Sequence, residues 1–343
     1  MNRTDQLVRP NVRALVPYSS ARDEYEGREG IFLDANESPF GPLNRYPDPR
    51  QRALRAAVAN LKGIPEENIF LGNGSDEVID LCYRIFCNPG ADKVVIFPPT
   101  YGMYRVSAAV NDVEVINVLL DENFDIDIPA VTPLLEDDRI KMIFICSPNN
   151  PTGNSMDPGR IEFIIRNFRG IVVLDEAYAD FSDKPSFIEK IGLHDNLIVM
   201  QTFSKAMGMA AARIGMAFAS PDILKYLFRI KAPYNISTLN QEAALQRIGD
   251  IRPVKVQTGT LIDERRRLAG KLETVPVVEK VWPSDANFLL VKVRDADTVY
   301  DKLTGRNIIV RNRSREIAGC LRITAGTRSE NDRLLDELGK INI

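Results

Sequence analysis

At 343 residues, 44% hydrophobic and 27% charged, the chain has the composition of an ordinary globular protein and length enough for about two domains. A formal charge of −3 lacks the basic field of a general nucleic-acid binder, and no apolar run approaches the roughly 20 residues of a membrane-spanning helix. A single histidine excludes a zinc site with several histidine ligands and leaves only His194, in the loop-like GLHDN, for any Ser-His-Asp triad, so proton transfer falls to lysine, carboxylates or tyrosine.

From the N-terminus, MNRTDQLVRP lacks the apolar core of a signal peptide, and the expected address is the cytoplasm. Residues 1–40 read as an arm joining a smaller C-terminal domain (246–343), which leaves 41–245 as the large domain. Asp48 and Pro49 suit an N-cap followed by proline at the first helical position. Leu54, Ala57, Val58 and Leu61 then recur at helical spacing, and Gly63 ends the run. A second helix is expected from Ser75, with Val78, Leu81, Cys82 and Ile85 on one face and Asn88-Pro89-Gly90 as its stop. A third starts at Asp157-Pro158 and carries Ile161, Ile164, Ile165 and Phe168. Between such helices lie the uniformly apolar runs VVIF (94–97), MIFIC (142–146), IVVL (171–174) and LIVM (197–200). Continuous apolar strands alternating with helices indicate an α/β fold with a mostly parallel sheet covered on both faces. Beyond residue 245 a charged helix around Asp263 to Arg267 leads into the strand-like 287–293, 307–310 and 320–324, and Ser329 with Asp332 resembles a capping box that opens a last helix. That pattern describes a smaller α+β domain. Cys82, Cys87, Cys146 and Cys320 show no metal or redox spacing and read as small buried hydrophobes.

Each apolar run ends in a polar segment: PPTY, SPNNPTG, DEAY and QTFSK. Ligands of open α/β sheets bind outside the carboxyl ends of the strands, so these segments converge on one site. A cofactor with an aldehyde, a pyridine ring and a phosphate would find its requirements there. Lys205 supplies an amine, Asp175 a carboxylate for the ring nitrogen, Tyr178 and Asn150 donors for a phenolic oxygen, and Tyr101 a stacking face. The glycines of LGNGSDE (71–77) open the Ser75 helix, whose free N–H groups favour an anion, and Thr202, Ser204 and Arg213 add hydroxyls and a charged fork. The small residues of 206–215 read as clearance for that ligand. Singly, Lys205 would be a solvated cation, Asp175 a helix cap and Tyr178 a core residue; their joint placement at matched strand ends outweighs those readings.

The segments SPNNPTG (147–153), DEAYADF (175–181), TFSKAMGMAAARIG (202–215), CLRITAGT (320–327), LDANESPFGP (33–42) and NRYPDP (44–49) resemble the fold-type I pyridoxal-phosphate enzymes, and within them the class I/II aminotransferases. Their variants are most similar to the branch that transaminates histidinol phosphate in histidine biosynthesis. That resemblance implies Lys205 as the Schiff-base lysine and proton-transfer base, Asp175 against the pyridine nitrogen, Asn150 and Tyr178 at the phenolic oxygen, and Tyr101 on the ring. It implies Arg213, Ser204, Thr202 and the amides around Gly74, Ser75 and Asp76 at the cofactor phosphate. Tyr46 would reach the cofactor of a second copy, which makes the expected assembly a homodimer. Arg322 would grip a substrate carboxylate, with Tyr18 and Asn36 lining the site. VRNRSRE (310–316) offers Arg311, Arg313 and Arg315 for the substrate phosphate, with Arg311, directly after NIIV, favoured. An aromatic or broad-specificity aminotransferase and a threonine-phosphate decarboxylase remain open beside this reading; no metal is expected.

Overall fold

A computed structural model of the chain describes residues 3–18, 21, 25 and 30–342, so several positions of the expected N-terminal arm lie outside the described residues. Strands β1 (Ile69–Gly72), β2 (Lys93–Ile96), β3 (Glu114–Asn117), β4 (Ile140–Cys146), β5 (Ile171–Asp175), β6 (Leu197–Thr202) and β7 (Gly215–Ala219) form one sheet in the order β1-β7-β6-β5-β4-β2-β3. The β2-β3, β2-β4, β4-β5 and β5-β6 pairs are parallel, whereas β7 runs antiparallel to both β6 and β1. The exception has a simple cause. Residues 203–214 between β6 and β7 contain only a short 3-10 turn, and a parallel return needs a crossover helix.

Because side chains alternate along a strand, the apolar runs feed two cores. Ile143, Ile145, Val172 and Leu174 meet Leu54 and Val58 of α1 (Arg52–Lys62) and Ile161, Ile164 and Ile165 of a later helix, Pro158–Asn167. On the other face Met142, Phe144, Ile171 and Val173 meet α2 (Ser75–Phe86), α3 (Met103–Val110) and the helix Pro221–Ile230. Each side is thereby closed, and chemistry is confined to the strand ends.

A second sheet, all antiparallel, has the order β10-β11-β9-β8, with β8 (Val278–Val281), β9 (Phe288–Val293), β10 (Arg311–Asn312) and β11 (Cys320–Thr324). Its core takes Leu268 and Leu272 from the long helix Arg252–Leu272, Val299 and Leu303 from Ala296–Thr304, and Leu334 and Leu338 from Arg328–Gly339.

Three local expectations are corrected. Asp48 does not cap α1; Gln51 does, in the left-handed conformation, while the Asp48 carboxylate accepts from the amides of Arg50 (2.9 Å) and Arg52 (2.7 Å) in a turn ahead of it. The last helix is opened by Thr327 and Glu330 rather than Ser329 and Asp332: the Thr327 amide donates to Glu330 Oε2 at 2.7 Å and Thr327 Oγ1 accepts from the Glu330 amide at 3.4 Å. Residues 307–310 are not a strand, since Asn307 takes a φ of 58° and pairing begins only at Arg311. All four cysteines are buried and free, as the sequence suggests.

Candidate active site

The ends of β4, β5 and β6 open on a cavity of about 250 Å³. Its walls include Tyr101, Asn150, Asp175, Tyr178, Thr202, Ser204 and Lys205, so the expected convergence is present in the fold. Ser75 and Asp76 enter from the first turn of α2, Arg213 from the segment before β7, and Arg322 from β11 of the second sheet. Both sheets thus contribute.

Asp175 ends β5 with only 4% of its surface exposed. Burial pushes its carboxyl above the ordinary aspartate range, while hydrogen bonds oppose the shift. Oδ2 accepts from the Tyr104 hydroxyl at 2.7 Å and Oδ1 from the Ala177 amide at 3.0 Å. No cation is paired with it at bonding distance among the described residues, which leaves a buried carboxylate suited to a cationic ring nitrogen. Lys205, beyond β6, stands 5.4 Å over the Tyr178 ring. Burial first, and then the nearby Arg322 guanidinium, lowers its pKa, which favours the neutral, nucleophilic amine.

At the other end Arg213 adopts φ 51°, and its guanidinium lies 3.2 Å from Asp76 Oδ2, 3.5 Å from Ser204 Oγ and 3.4 Å from the Ala210 carbonyl. Asp76 also accepts from the Tyr101 hydroxyl at 3.0 Å. Thr202 Oγ1 accepts from the Ser204 amide at 3.1 Å and donates to the Ile214 carbonyl at 3.2 Å, so this hydroxyl shapes the turn that presents Ser204. Two glycines have specific reasons. A side chain on Gly74 would meet the Arg213 guanidinium at 2.5 Å, and one on Gly215 would meet the Ser75 amide nitrogen at 2.2 Å. The clearance expected for 206–215 is therefore only partly a matter of ligand space: Ala210 lines the cavity, Gly215 admits backbone, and Gly208 takes a positive φ of 67°.

On the side of the second sheet, Arg322 donates to Asn150 Oδ1 at 2.5 Å and lies 5.3 Å over the Phe288 ring. Asn150 Nδ2 is 3.4 Å from the Tyr178 hydroxyl, and Tyr178 packs edge-on against Phe288. Arg311 stands directly opposite Arg322 in the β10-β11 register, so both side chains share a face. Arg313 is half-buried and paired with Glu316 at 2.5 Å, and Arg315 is exposed.

Three sequence candidates lie elsewhere on the chain. Tyr46 stacks on Tyr234 at 4.4 Å, and with Asn36 it lines a separate cleft; Tyr18 is 72% exposed beside Arg229. Tyr104 was missed by sequence reasoning, although it lies in the first turn of α3 only three residues beyond Tyr101. Asp76 was expected to contribute its amide, and the part its carboxylate plays against Arg213 and Tyr101 was missed, as was the cavity wall formed by Cys146, which had read only as a buried hydrophobe.

The residues present fit pyridoxal phosphate, the group the sequence resemblance implies. One end of the cavity gathers an arginine fork, hydroxyls and the first amides of α2, and the other an amine and an otherwise cation-free buried acid. Comparisons with known proteins agree. A family model described as aminotransferase class I and II matches residues 29–338. The chain is 53% identical over 346 residues to the histidinol-phosphate aminotransferase of Parabacteroides distasonis, covering 100% of both chains. It is 50% identical to that of Cytophaga hutchinsonii, over 97% of this chain and 98% of the other. The crystal structure of histidinol-phosphate aminotransferase from Sinorhizobium meliloti in complex with pyridoxal-5'-phosphate superposes with a TM-score of 0.79 at 24% identity, covering 89% of each chain, a likeness of fold.

Proposed function

We infer that this chain, which belongs to the class I and II aminotransferase family, transfers an amino group reversibly between L-histidinol phosphate and 2-oxoglutarate, giving imidazole acetol phosphate and L-glutamate in histidine biosynthesis. It is an enzyme dependent on pyridoxal phosphate. The observation that carries the reading is the pairing, across one cavity, of a half-buried amine at Lys205 with a buried carboxylate at Asp175, between an anion cradle and Arg322.

When bound, the cofactor supplies a protonated pyridine ring that accepts electron density from the reacting carbon. The chain does the rest. Lys205 Nζ, whose pKa burial lowers, would hold the cofactor's aldehyde carbon and, as a free amine, would take up and return the proton of the reacting carbon. Asp175 keeps the ring nitrogen charged. Asn150 and the Tyr178 hydroxyl donate to the phenolic oxygen, and Tyr101 covers the ring face. Arg213, Ser204 and the amides of Ser75 and Asp76 hold the phosphate, with Gly74 making room for the Arg213 fork and Thr202 setting Ser204.

Arg322 and Arg311 account for the substrate. Two arginines opposite each other on an antiparallel pair repel, and a dianionic phosphate relieves that repulsion better than a monoanionic carboxylate. Arg322, on the cavity wall, serves both amino-acid carboxylate and phosphate, and Arg311 adds the charge that favours phosphate. The Arg313 pairing with Glu316 and the position of Arg315 outside the β10-β11 ladder support that choice.

A homodimer belongs to the same reading. Leu15, Val16, Ile31, Leu33 and Phe40 are exposed along the arm and Leu43 just beyond it, and Tyr18, Asn36 and Tyr46 stand apart from the Lys205 cavity of their own chain. A second copy would cover the apolar residues and receive Tyr46 at its cofactor phosphate. A division into an arm (1–40), a large domain (41–245) and a small domain (246–343) is proposed, with one correction: the arm's helices at Arg3–Leu7 and Pro10–Ala14 pack through Val8 and Val12 on the large domain, not on the small one. No helix among the described residues is long and apolar enough to cross a membrane, and a cytoplasmic address is proposed. The test is a half-reaction: the pyridoxal-phosphate-loaded protein is mixed with histidinol phosphate, tyrosine or phosphothreonine while its visible absorption is followed. Rapid conversion to the amine form of the cofactor with histidinol phosphate supports the reading. Faster conversion with tyrosine indicates a broad aromatic enzyme, and carbon dioxide release from phosphothreonine a decarboxylase.

A further inference from the structure

The Tyr104 hydroxyl is the side-chain donor to Asp175, and everything around it fixes that donor in place. Its ring is fully buried, stacked on Phe144 at 4.9 Å with an interplanar angle of 18°, and Phe144 in turn stacks on Tyr83 at 5.3 Å and 22°. The Tyr83 hydroxyl donates to the Tyr104 carbonyl at 2.8 Å, which ties α3 to α2 at the same point. Tyr101 meets the Tyr104 ring edge-on at 5.5 Å and 84°. One buried tyrosine therefore supports both the residue assigned to the cofactor ring face and the carboxylate assigned to the cofactor nitrogen.

We propose that Tyr104 is a positioning residue that keeps the ring-nitrogen proton on the cofactor rather than on Asp175, by donating its hydroxyl to Asp175 Oδ2. The proposal rests on the assignment of Asp175 to the pyridine nitrogen. A proton shared between that nitrogen and a buried carboxylate settles on the more basic partner, and burial alone makes a carboxylate more basic. A hydrogen bond donated into the carboxylate stabilises its ionised form and lowers its basicity, so the charged pair is favoured over the neutral one. The Ala177 amide, on the other carboxylate oxygen, acts in the same sense, but its direction is set by the backbone turn. Tyr104 is the side-chain part of the arrangement, and its only polar side-chain atom is aimed at Asp175.

The test is Tyr104→Phe, which keeps the aromatic stack and removes the hydroxyl. The readout is the nitrogen-15 resonance of labelled pyridoxal phosphate in the holoenzyme, which reports the proton on the ring nitrogen directly. The expected result is a shift toward the unprotonated position, a fall of about tenfold or more in the half-reaction rate, and little change in substrate half-saturation. Tyr83→Phe, which loses a hydrogen bond in the same stack without touching Asp175, is expected to leave the resonance at its wild-type position. An unmoved resonance in Tyr104→Phe, or an equal shift in Tyr83→Phe, overturns the proposal. If Tyr104→Phe fails to fold, 4-aminophenylalanine at position 104, a weaker donor of nearly the same shape, is expected to move the resonance toward the unprotonated position, and an unmoved resonance overturns the proposal. Asp175→Ala separates the two levels. If it too leaves the resonance unmoved, the Asp175 assignment itself fails; if it shifts the resonance and Tyr104→Phe does not, only the role of Tyr104 fails.

Discussion

Replacing Arg311 by alanine measures how the chain selects a phosphorylated substrate. Arg311 is exposed and directly opposite Arg322. A hydrogen bond to a charged group contributes about 1.5–3 kcal/mol, and exposure puts this one toward the lower end. A loss of about 1.5–2 kcal/mol predicts that Arg311→Ala lowers kcat/KM for histidinol phosphate by about 10–30-fold. Histidinol, which lacks the phosphate, forms no such bond, and its kcat/KM should change by less than about twofold. The assay is steady-state kinetics on wild type and variant with both substrates, a cycle that isolates the contact between Arg311 and the phosphate. Equal losses with the two substrates would refute the reasoning and pass the role to Arg313 or Arg315.

Other perturbations reach different parts of the account. Burial raises the Asp175 pKa above its unfolded value, so its contribution to the stability of the cofactor-free protein is fully present below the unfolded carboxylate range and is lost as pH rises through the raised value. Cofactor-free Asp175→Asn should therefore melt higher than wild type near neutral pH, with the difference closing toward about pH 4, and cofactor should stabilise wild type more than the variant. A melting-temperature difference that does not vary with pH would count against the buried-acid argument. Gly215→Ala drives a methyl group to 2.2 Å from the Ser75 amide nitrogen, where backbone must move. Urea denaturation should show a loss of about 2–3 kcal/mol or more, accompanied by weaker cofactor binding because the anion cradle shifts; an unchanged midpoint would contradict the close approach. Arg213→Ala should weaken cofactor binding by about tenfold or more, as read by titration of the cofactor-free protein, while leaving the fold intact.

The parts of the molecule legible in sequence are those with short-range signatures. The apolar runs that became β2, β4, β5 and β6 are buried nearly throughout, and their polar tails carry Tyr101, Asn150, Asp175 and Lys205. β1 and β7 were illegible because their apolar character merges with flanking glycines, and the reversed direction of β7 depends on what 203–214 fails to contain. β3 was hidden because it lies at the sheet edge with none of its four residues buried and only Val115 and Ile116 apolar. Helix starts depended on local competition: the Asp48 carboxylate bonds to two nearby amides and so forms a turn, and Thr327 reaches Glu330 before Ser329 can act as cap. Within the site, Arg213 and Arg322 had recognisable neighbours, but Tyr104 bonds to Asp175 across strands and helices far apart in the chain. The sequence preference for Arg311 over Arg313 and Arg315 rested on a strand at 307–310 that the fold lacks; the assignment now rests on the β10-β11 register, because alternation alone puts all three on one side.

The central claim is that Lys205 performs the transfer, and a single-turnover experiment with histidinol phosphate tests it most directly. Wild type loaded with pyridoxal phosphate should lose the visible absorption of the lysine-linked cofactor and accumulate its amine form with release of imidazole acetol phosphate. Lys205→Ala, folded and able to bind the cofactor through Arg213 and Asp175, should show neither the lysine-linked absorption nor product. Wild-type turnover in Lys205→Ala would contradict the account.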